Sequence, residues 1–319
     1  MTLPAPWGGI LRQLVSTLLA LVFSTFLVFG ALYAAPGDTL RFLTGGRTVS
    51  PEAVAEYRAQ FHLDDPFFER YVAWLSAAAH GNFGDSLLSR TPVSQLIGPR
   101  VATTLLLLLL ASIFMIVGGV VAGTLAGLRR GRVDALISTM TNIGLAIPAF
   151  VASALLVTIF AVGLGWFPVF GDGQGLVDRI YHLILPAVAL ALGGGAYITR
   201  VTRVAVRAEL GREHVATARS RGVPTSQIVR RHVLRNALIP VTTVAGLTVA
   251  GLVAGSVVVE TAFGLDGLGS LLVSSVVAKD FSVVQAVSLL LVVGFLAVNL
   301  IVDLLYLVID PRLRGGATR

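Results

Sequence analysis

The chain has no cysteine, and Lys279 is its only lysine. The first absence removes disulfides, thiolate nucleophiles and thiolate metal sites. The second removes any phosphate-cradling loop of the G-x-x-x-x-G-K-[ST] type, so ATP, if used, must be bound by another chain. No cofactor and no metal is expected on this one. Charge is scarce too: only 13% of the 319 residues are charged, against about 25% in ordinary soluble domains. Apolar residues make up 55%, in runs longer than the ~20 residues an α-helix needs to cross a bilayer. The composition excludes a typical water-soluble globule and predicts an all-α, polytopic membrane protein.

Ionisable groups inside the apolar runs are also nearly missing, and such groups are where membrane chemistry is built. Asp303, in "VNLIVDLLYLV" with Asn299 one turn earlier, is the clear case. It reads as an interior hydrogen bond or a group placed at the inner interface. Glu260 and Asp266 fall at the outer edge of a run, where water is expected to reach them. His182 lies at a boundary, and no histidine within a run is matched to an acid, so a proton relay is not expected. A serine with its base, a facing pair of aspartates and H-E-x-x-H are all lacking, so an intramembrane protease is not expected either.

Apolar runs and their breaks give six spans, at 10–34, 101–128, 135–162, 182–199, 236–259 and 283–309. The first run is longer than the roughly 7–15 residues of a signal-peptide core and reads as an uncleaved span. The fourth is short and carries Pro186 and the triplet Gly193 to Gly195, which predicts a broken helix held by its neighbours. Six spans put both termini on one side. With the N-terminus inside, the inner segments and their flanks hold sixteen basic residues and the outer segments eight, while twelve of seventeen acids fall outside. That bias predicts N-in, C-in topology.

The segment 35–100 is then external and small. Ser50-Pro51-Glu52 and Asp65-Pro66 both read as helix starts. The two short helices they open carry Val54, Tyr57, Phe67, Phe68, Tyr71, Trp74 and Leu75, an aromatic face expected to pack or lie at the interface. The other external loops are 163–181 and 260–282. Within the spans, Gly119, Gly123 and Gly127 form one row at four-residue spacing, and Gly251 and Gly255 another. Such rows let helix backbones approach closely, against a neighbour in this chain or in another.

The cytoplasmic segment 200–235 has nine arginines and two acids, a local charge of +7 equal to that of the whole chain. Topology explains the charge but not the order of residues. Glu213 near a helix start, with Arg219 and Arg221 near its end, match the helix dipole. Gly222 suits a left-handed position after the helix, with Pro224 beyond it. Thr225 or Ser226 can cap the next helix, which runs through "QIVRRHVLRNAL" into the fifth span. Ala216, Ala218 and Ser220 read as a small face open to a partner surface. A helix-turn-helix DNA reader has the same outline, but here the second helix enters the membrane and no third helix packs on it, so no nucleic acid is expected.

The stretch "EHVATARSRGVPTSQIVRRHVLRNALIP" resembles the EAA loop of binding-protein-dependent ABC importer permeases, and in particular the B-type subunit of dipeptide and oligopeptide permeases, a family that includes nickel and glutathione importers. Ala35 to Asp38 ("APGD"), "FHLDDPFFERYVAWL", "GNFGDSL", "LRRGRVDALI", "VVVETAFGLDGLGSLL", "KDFSVVQ" and "VNLIVDLLYLVIDPRLR" extend the resemblance over nearly the whole chain. It departs from the family at Ala216, where an acid is frequent, and at Leu265-Asp266, where Trp-Pro is frequent. The resemblance implies a type I ABC importer permease fold with a core over 101–309. It implies that Glu213, Ala216, Thr217, Ala218, Arg219 and Gly222 form a coupling helix docking on an ATPase. The partners it implies are a homologous C-type permease, two ATPases that bind ATP and Mg, an external solute-binding protein and the lipid bilayer. A stand-alone channel or secondary carrier and a structural scaffold are the competing classes; both differ in working without an ATPase.

Overall fold

The computed structural model describes residues 5–34 and 65–309, with side chains over 12–34 and 65–302. Among these residues the regular elements are helical, and the strand-like pairing is one isolated bridge between Asp85 and Pro92. In chain order they are α1 (Ala5–Tyr33), α2 (Phe67–Ala79), α3 (Val93–Leu128), α4 (Arg132–Ala146) and α5 (Ala149–Leu156), which ends in a π-helical turn, Val157–Gly163. After them come α6 (Gly175–Leu210), α7 (Glu213–Ser220) and α8 (Thr225–Ile228). A second π-helical turn, Val229–Val233, joins α8 to α9 (Leu234–Phe263), and α10 (Leu268–Ala278) and α11 (Phe281–Ile309) complete the order.

Among the described residues, five stretches are long and apolar enough to cross a bilayer: Arg12–Tyr33, Val93–Leu128, Gly175–Leu210, Thr225–Phe263 and Phe281–Val302. The pair α4 and α5 makes a sixth if it crosses as a unit, because the two are bent by 112°. The run 135–162 therefore does not form one straight helix. Pro148 is the cause: it lacks an N–H, and it drives the residue before it out of the helical region. Ile147 accordingly sits at φ −82°, ψ 121°, and Pro148 becomes the N-cap of α5.

The break expected in 182–199 is absent. Pro186 and the glycine triplet lie inside the continuous α6, which has the most enclosed apolar window of the five long stretches. Its neighbours explain the tolerance. Leu107, Ala111 and Met115 of α3 and Val241, Leu252 and Phe263 of α9 close over Leu183, Leu190 and Ile198 of α6. A side chain at Gly194 would collide with Met115 Sδ, so the triplet admits α3 closely and does not interrupt the helix.

α2 lies against the outer half of α1. Phe67 and Tyr71 set their rings at about 90° to Phe26 with centroids 5.5 Å away, and Tyr71 also meets Phe29. The Tyr71 hydroxyl shares a hydrogen bond with Thr25 Oγ1 (2.9 Å) and donates to the Val22 carbonyl (3.1 Å). The Phe67 and Tyr71 side of this aromatic face is thus a packing surface, while Phe68 is exposed. The helix start at Asp65-Pro66 places Pro66 in the N-cap position; the start read at Ser50-Pro51-Glu52, like Tyr57 and "APGD", lies outside the described residues. Further along, Ser86 Oγ and the Leu87 N–H both donate to the buried Asp280, which ties the external segment to the start of α11.

Candidate functional site

The segment between α6 and α9 is more ordered than a loop. α6 carries on to Leu210, and the next long helix begins at Thr225. At 1.5 Å per residue, helices of 36 and 39 residues span about 54 and 58 Å, well beyond a hydrocarbon core of ~30 Å. What lies between them is α7 and two tight turns.

α7 starts at N-cap Arg212, with Glu213 in its first turn and Arg219 in its last, both matched to the helix dipole. Its end is a Schellman motif. The Val223 N–H donates to Ala218 O (3.1 Å) and the Gly222 N–H to Arg219 O (3.0 Å). Gly222 supplies the required positive φ, +73°. The next helix is capped differently from expectation: Pro224 holds the N-cap position with no side-chain cap bond, and its carbonyl accepts from Gln227 N and Ile228 N. Neither Thr225 nor Ser226 caps it.

The faces of α7 separate cleanly. Val215 and Ala218 are buried with Val206 of α6, Ile228 of α8, Val233 of the second π-helical turn and Ala237 of α9, and partly buried Leu128, Leu210 and Val223 close the seat. Glu213, Ala216, Thr217, Arg219 and Ser220 are exposed. Ala218 is therefore an inward residue and does not share an open face with Ala216 and Ser220. Residues two apart on a helix point in nearly opposite directions, so the three could not have formed one surface. Beside the seat, Glu209 gathers Arg212 Nε (3.5 Å), His214 Nε2 (3.7 Å) and Asn236 Nδ2 (3.4 Å). Among the described residues, Arg219, Arg221, Arg230, Arg231 and Arg235 enter no ion pair, which leaves a basic, small-residue outer surface around α7.

The glycine row of α3 packs within this chain. A Cβ at Gly119 would fall 2.7 Å from Ile198 Cγ2, one at Gly123 2.5 Å from Thr202 Cβ, and one at Gly127 2.7 Å from Val206 Cγ1. Both helices advance by four residues per contact, so α3 and α6 run in the same direction. In α9, a Cβ at Gly255 would fall 2.8 Å from Leu190 Cδ1, whereas one at Gly251 would meet open space. Those two glycines do not share a partner.

Two polar ties went unread in the sequence. On the inner side, Asp134 at the start of α4 accepts from Arg203 Nε (2.5 Å) and Nη2 (3.0 Å) and from Arg207 Nη2 (2.6 Å). Arg207 Nη2 also reaches the Ala126 carbonyl of α3 (3.4 Å). Arginines four apart on one helix face, opposite the lone acid of "RRGRVD", were the available signal. On the outer side, Glu260 is not open to water. Its side chain is fully buried and accepts from Thr104 Oγ1 (2.8 Å), Gly269 N (2.6 Å) and Ser270 N (3.2 Å). Neighbouring Thr103 donates to Asp172, which also accepts from Asp266 N, so one turn of α3 anchors the loops before α6 and before α10. Asp266 itself is exposed and pairs with Arg100 at 3.6 Å. Asn299 donates to the Phe295 carbonyl of its own helix (3.0 Å); the Asp303 side chain lies outside the described residues.

A bundle of long apolar helices with a short helix seated at one end is the build of a multi-pass membrane protein. The family described as binding-protein-dependent transport system inner membrane component matches residues 119–315, and the corresponding N-terminal membrane-component family matches residues 9–108. The chain belongs to this family: it is a multi-pass inner-membrane permease subunit of an ATP-driven importer. It is 37% identical over 310 residues to the glutathione transport system permease protein GsiC of Escherichia coli (strain K12), across 96% of this chain and 98% of that one. It is 36% identical over 311 residues to the oligopeptide transport system permease protein AppB of Bacillus subtilis (strain 168), across 95% and 98%. Among solved structures it shares its fold with a chain of the MetNI methionine ABC transporter in an inward-facing conformation. That likeness has a TM-score of 0.57 at 23% identity, over 68% of this chain and 97% of the other.

Proposed function

We propose that this subunit forms half of the translocation pathway for di- or oligopeptides or related small solutes. It pairs with a homologous C-type permease, receives solute from an external binding protein, and is driven by two separate ATPase subunits that bind ATP and Mg. The names of the relatives support the solute class. The observation that carries the coupling assignment is α7: its outer face of Glu213, Ala216, Thr217 and Arg219 is free, while its inner face is seated on α6, α8 and α9 together. A protein that pushes on the outer face therefore moves two spans at once. Thermodynamically, nucleotide must favour one arrangement of the ATPases over the other, and α7 transmits that difference to the opening of the bundle.

The test is Gly222→Val in the complex reconstituted with its partners. A β-branched residue at φ +73° is strained by about 1–2 kcal/mol, and it loosens the turn that ends α7. Membrane insertion and assembly are expected to persist while uptake driven by hydrolysis is lost. Full solute-stimulated ATPase activity with normal uptake in this variant overturns the coupling role. Transport by the chain alone in liposomes, with no ATPase present, would instead place it among stand-alone channels or carriers.

A further inference from the structure

One turn of α6, Arg203 to Arg207, faces two ways. Val206 belongs to the seat of α7, in contact range with Val215 and Ala218. Arg203 and Arg207, on the adjoining face of the same turn, hold Asp134 at the start of α4. The grip is geometrically demanding. Arg203 engages both carboxylate oxygens with Nε and Nη2, the planar fork that lysine cannot reproduce. The Asp134 side chain is only 16% exposed, so the pair is partly shielded from screening. Behind it, Gly127 of α3 packs on Val206 and the Arg203 carbonyl, so the turn has little freedom to slip sideways. α4 then runs fifteen residues to the 112° bend at Ile147 and Pro148.

We propose that the Asp134–Arg203–Arg207 cluster is the link through which displacement of α7 reaches the bent third span. Asp134 is a positioning residue in this role: through Arg203 and Arg207 it makes α4 move with α6. Without it, α4 keeps only its apolar packing on α6, close at Gly144 and Ala196, and follows α6 less faithfully. The proposal rests on the coupling assignment of α7. It goes beyond that assignment in naming a second, intramolecular joint.

The absence of cysteine in the natural chain makes distances easy to follow by paired spin labels. Exposed Met140→Cys on α4, Val204→Cys on α6 and Ile159→Cys in the π-helical turn report the two relevant pairs in the assembled complex. In the parent protein, the 140–204 distance is expected to stay constant between nucleotide-free and ATP-trapped states, while the 140–159 distance changes. In Asp134→Asn, the 140–204 distribution broadens and the 140–159 distance no longer responds. Uptake per ATP hydrolysed falls roughly tenfold, within the usual 5–150-fold span of coupling effects. Asp134→Glu, which keeps the charge and one fork contact, restores most of both readouts. A purely structural anchor would lower the amount of assembled complex and leave uptake per ATP unchanged; that result overturns the proposal. So does an intact 140–159 response in Asp134→Asn. Gly222→Val is measured alongside: if it uncouples and Asp134→Asn does not, only the link falls, whereas if Gly222→Val is silent the coupling assignment itself fails.

Discussion

Glu260 and Gly267 form the most quantitative test of the outer face. The Glu260 carboxylate is fully buried at the N-terminus of α10, where three donors and the helix dipole stabilise it. Gly267, at φ −109°, has a backbone any residue can adopt, so only space restricts it. A Cβ there would overlap Glu260 Oε2 and its carboxyl carbon. Gly267→Ala must therefore displace the carboxylate and forfeit much of its hydrogen bonding. Glu260→Ala leaves the same three donors without an acceptor, at about 1–3 kcal/mol for each buried group left unmet, on the order of 3–5 kcal/mol in total after relaxation. Each single change should thus be strongly destabilising. In the double variant, however, the methyl group introduced by Gly267→Ala occupies space the carboxylate has vacated. The pair should cost little more than Glu260→Ala alone, a coupling of about 2–3 kcal/mol. The assay is reversible unfolding in mixed lipid–detergent micelles for the parent, both singles and the double. Additivity of the two singles to within about 0.5 kcal/mol would refute the reasoning, because independent sites add in that way.

Two further outcomes are expected. Gly123→Val places branched carbons where a single Cβ already falls 2.5 Å from Thr202 and 2.6 Å from the Thr199 carbonyl. α3 and α6 must separate, at about 1–3 kcal/mol or more of overpacking, seen as an earlier midpoint in the same micelle titration and as a loss of assembled complex. Tyr71→Phe removes the hydroxyl that bridges Thr25 and Val22 while leaving the ring packing, and should cost about 1 kcal/mol. An unchanged midpoint would mean that α2 is held on α1 by its aromatic contacts alone.

Much of this architecture is readable without coordinates because membrane spans announce themselves by length and polarity. The left-handed Gly222 was equally legible: glycine followed by a proline two residues on, after a dipole-matched helix, leaves few alternatives. Sequence pattern and structure part where one residue type has two physical uses. Proline breaks the chain at Pro148 but not at Pro186, and only the surrounding helices decide between these outcomes. Glycine at Gly193 to Gly195 marked a weak helix by propensity, yet Gly194 admits Met115. Ala216 and Ala218 share small size, but helical spacing sets them on opposite faces. The polar ties were least legible. Asp134 finds its partners 69 and 73 positions away, and Glu260 finds Thr104 156 positions away, distances over which a single sequence carries no pairing signal.

The glycine contact between α3 and α6 is off-centre, and that position has a mechanical consequence. On α6 it spans Gly195 to Val206, centred near Arg200. From there the helix continues for about 38 Å to Gly175 but only about 15 Å to Leu210, at 1.5 Å per residue. Where backbones touch this closely, the helices can turn against each other but cannot part. A rotation of α6 about that point is therefore amplified roughly 2.5-fold towards the external side, by the ratio of the arms. A shift of about 2 Å at Leu210 becomes about 5 Å at Gly175, comparable to one helical pitch. The short arm lies beside α7, and the long arm ends at Gly175. On the proposed coupling through α7, the bundle would thus trade force for travel: a small stroke at the short arm becomes a larger displacement at the far end of α6.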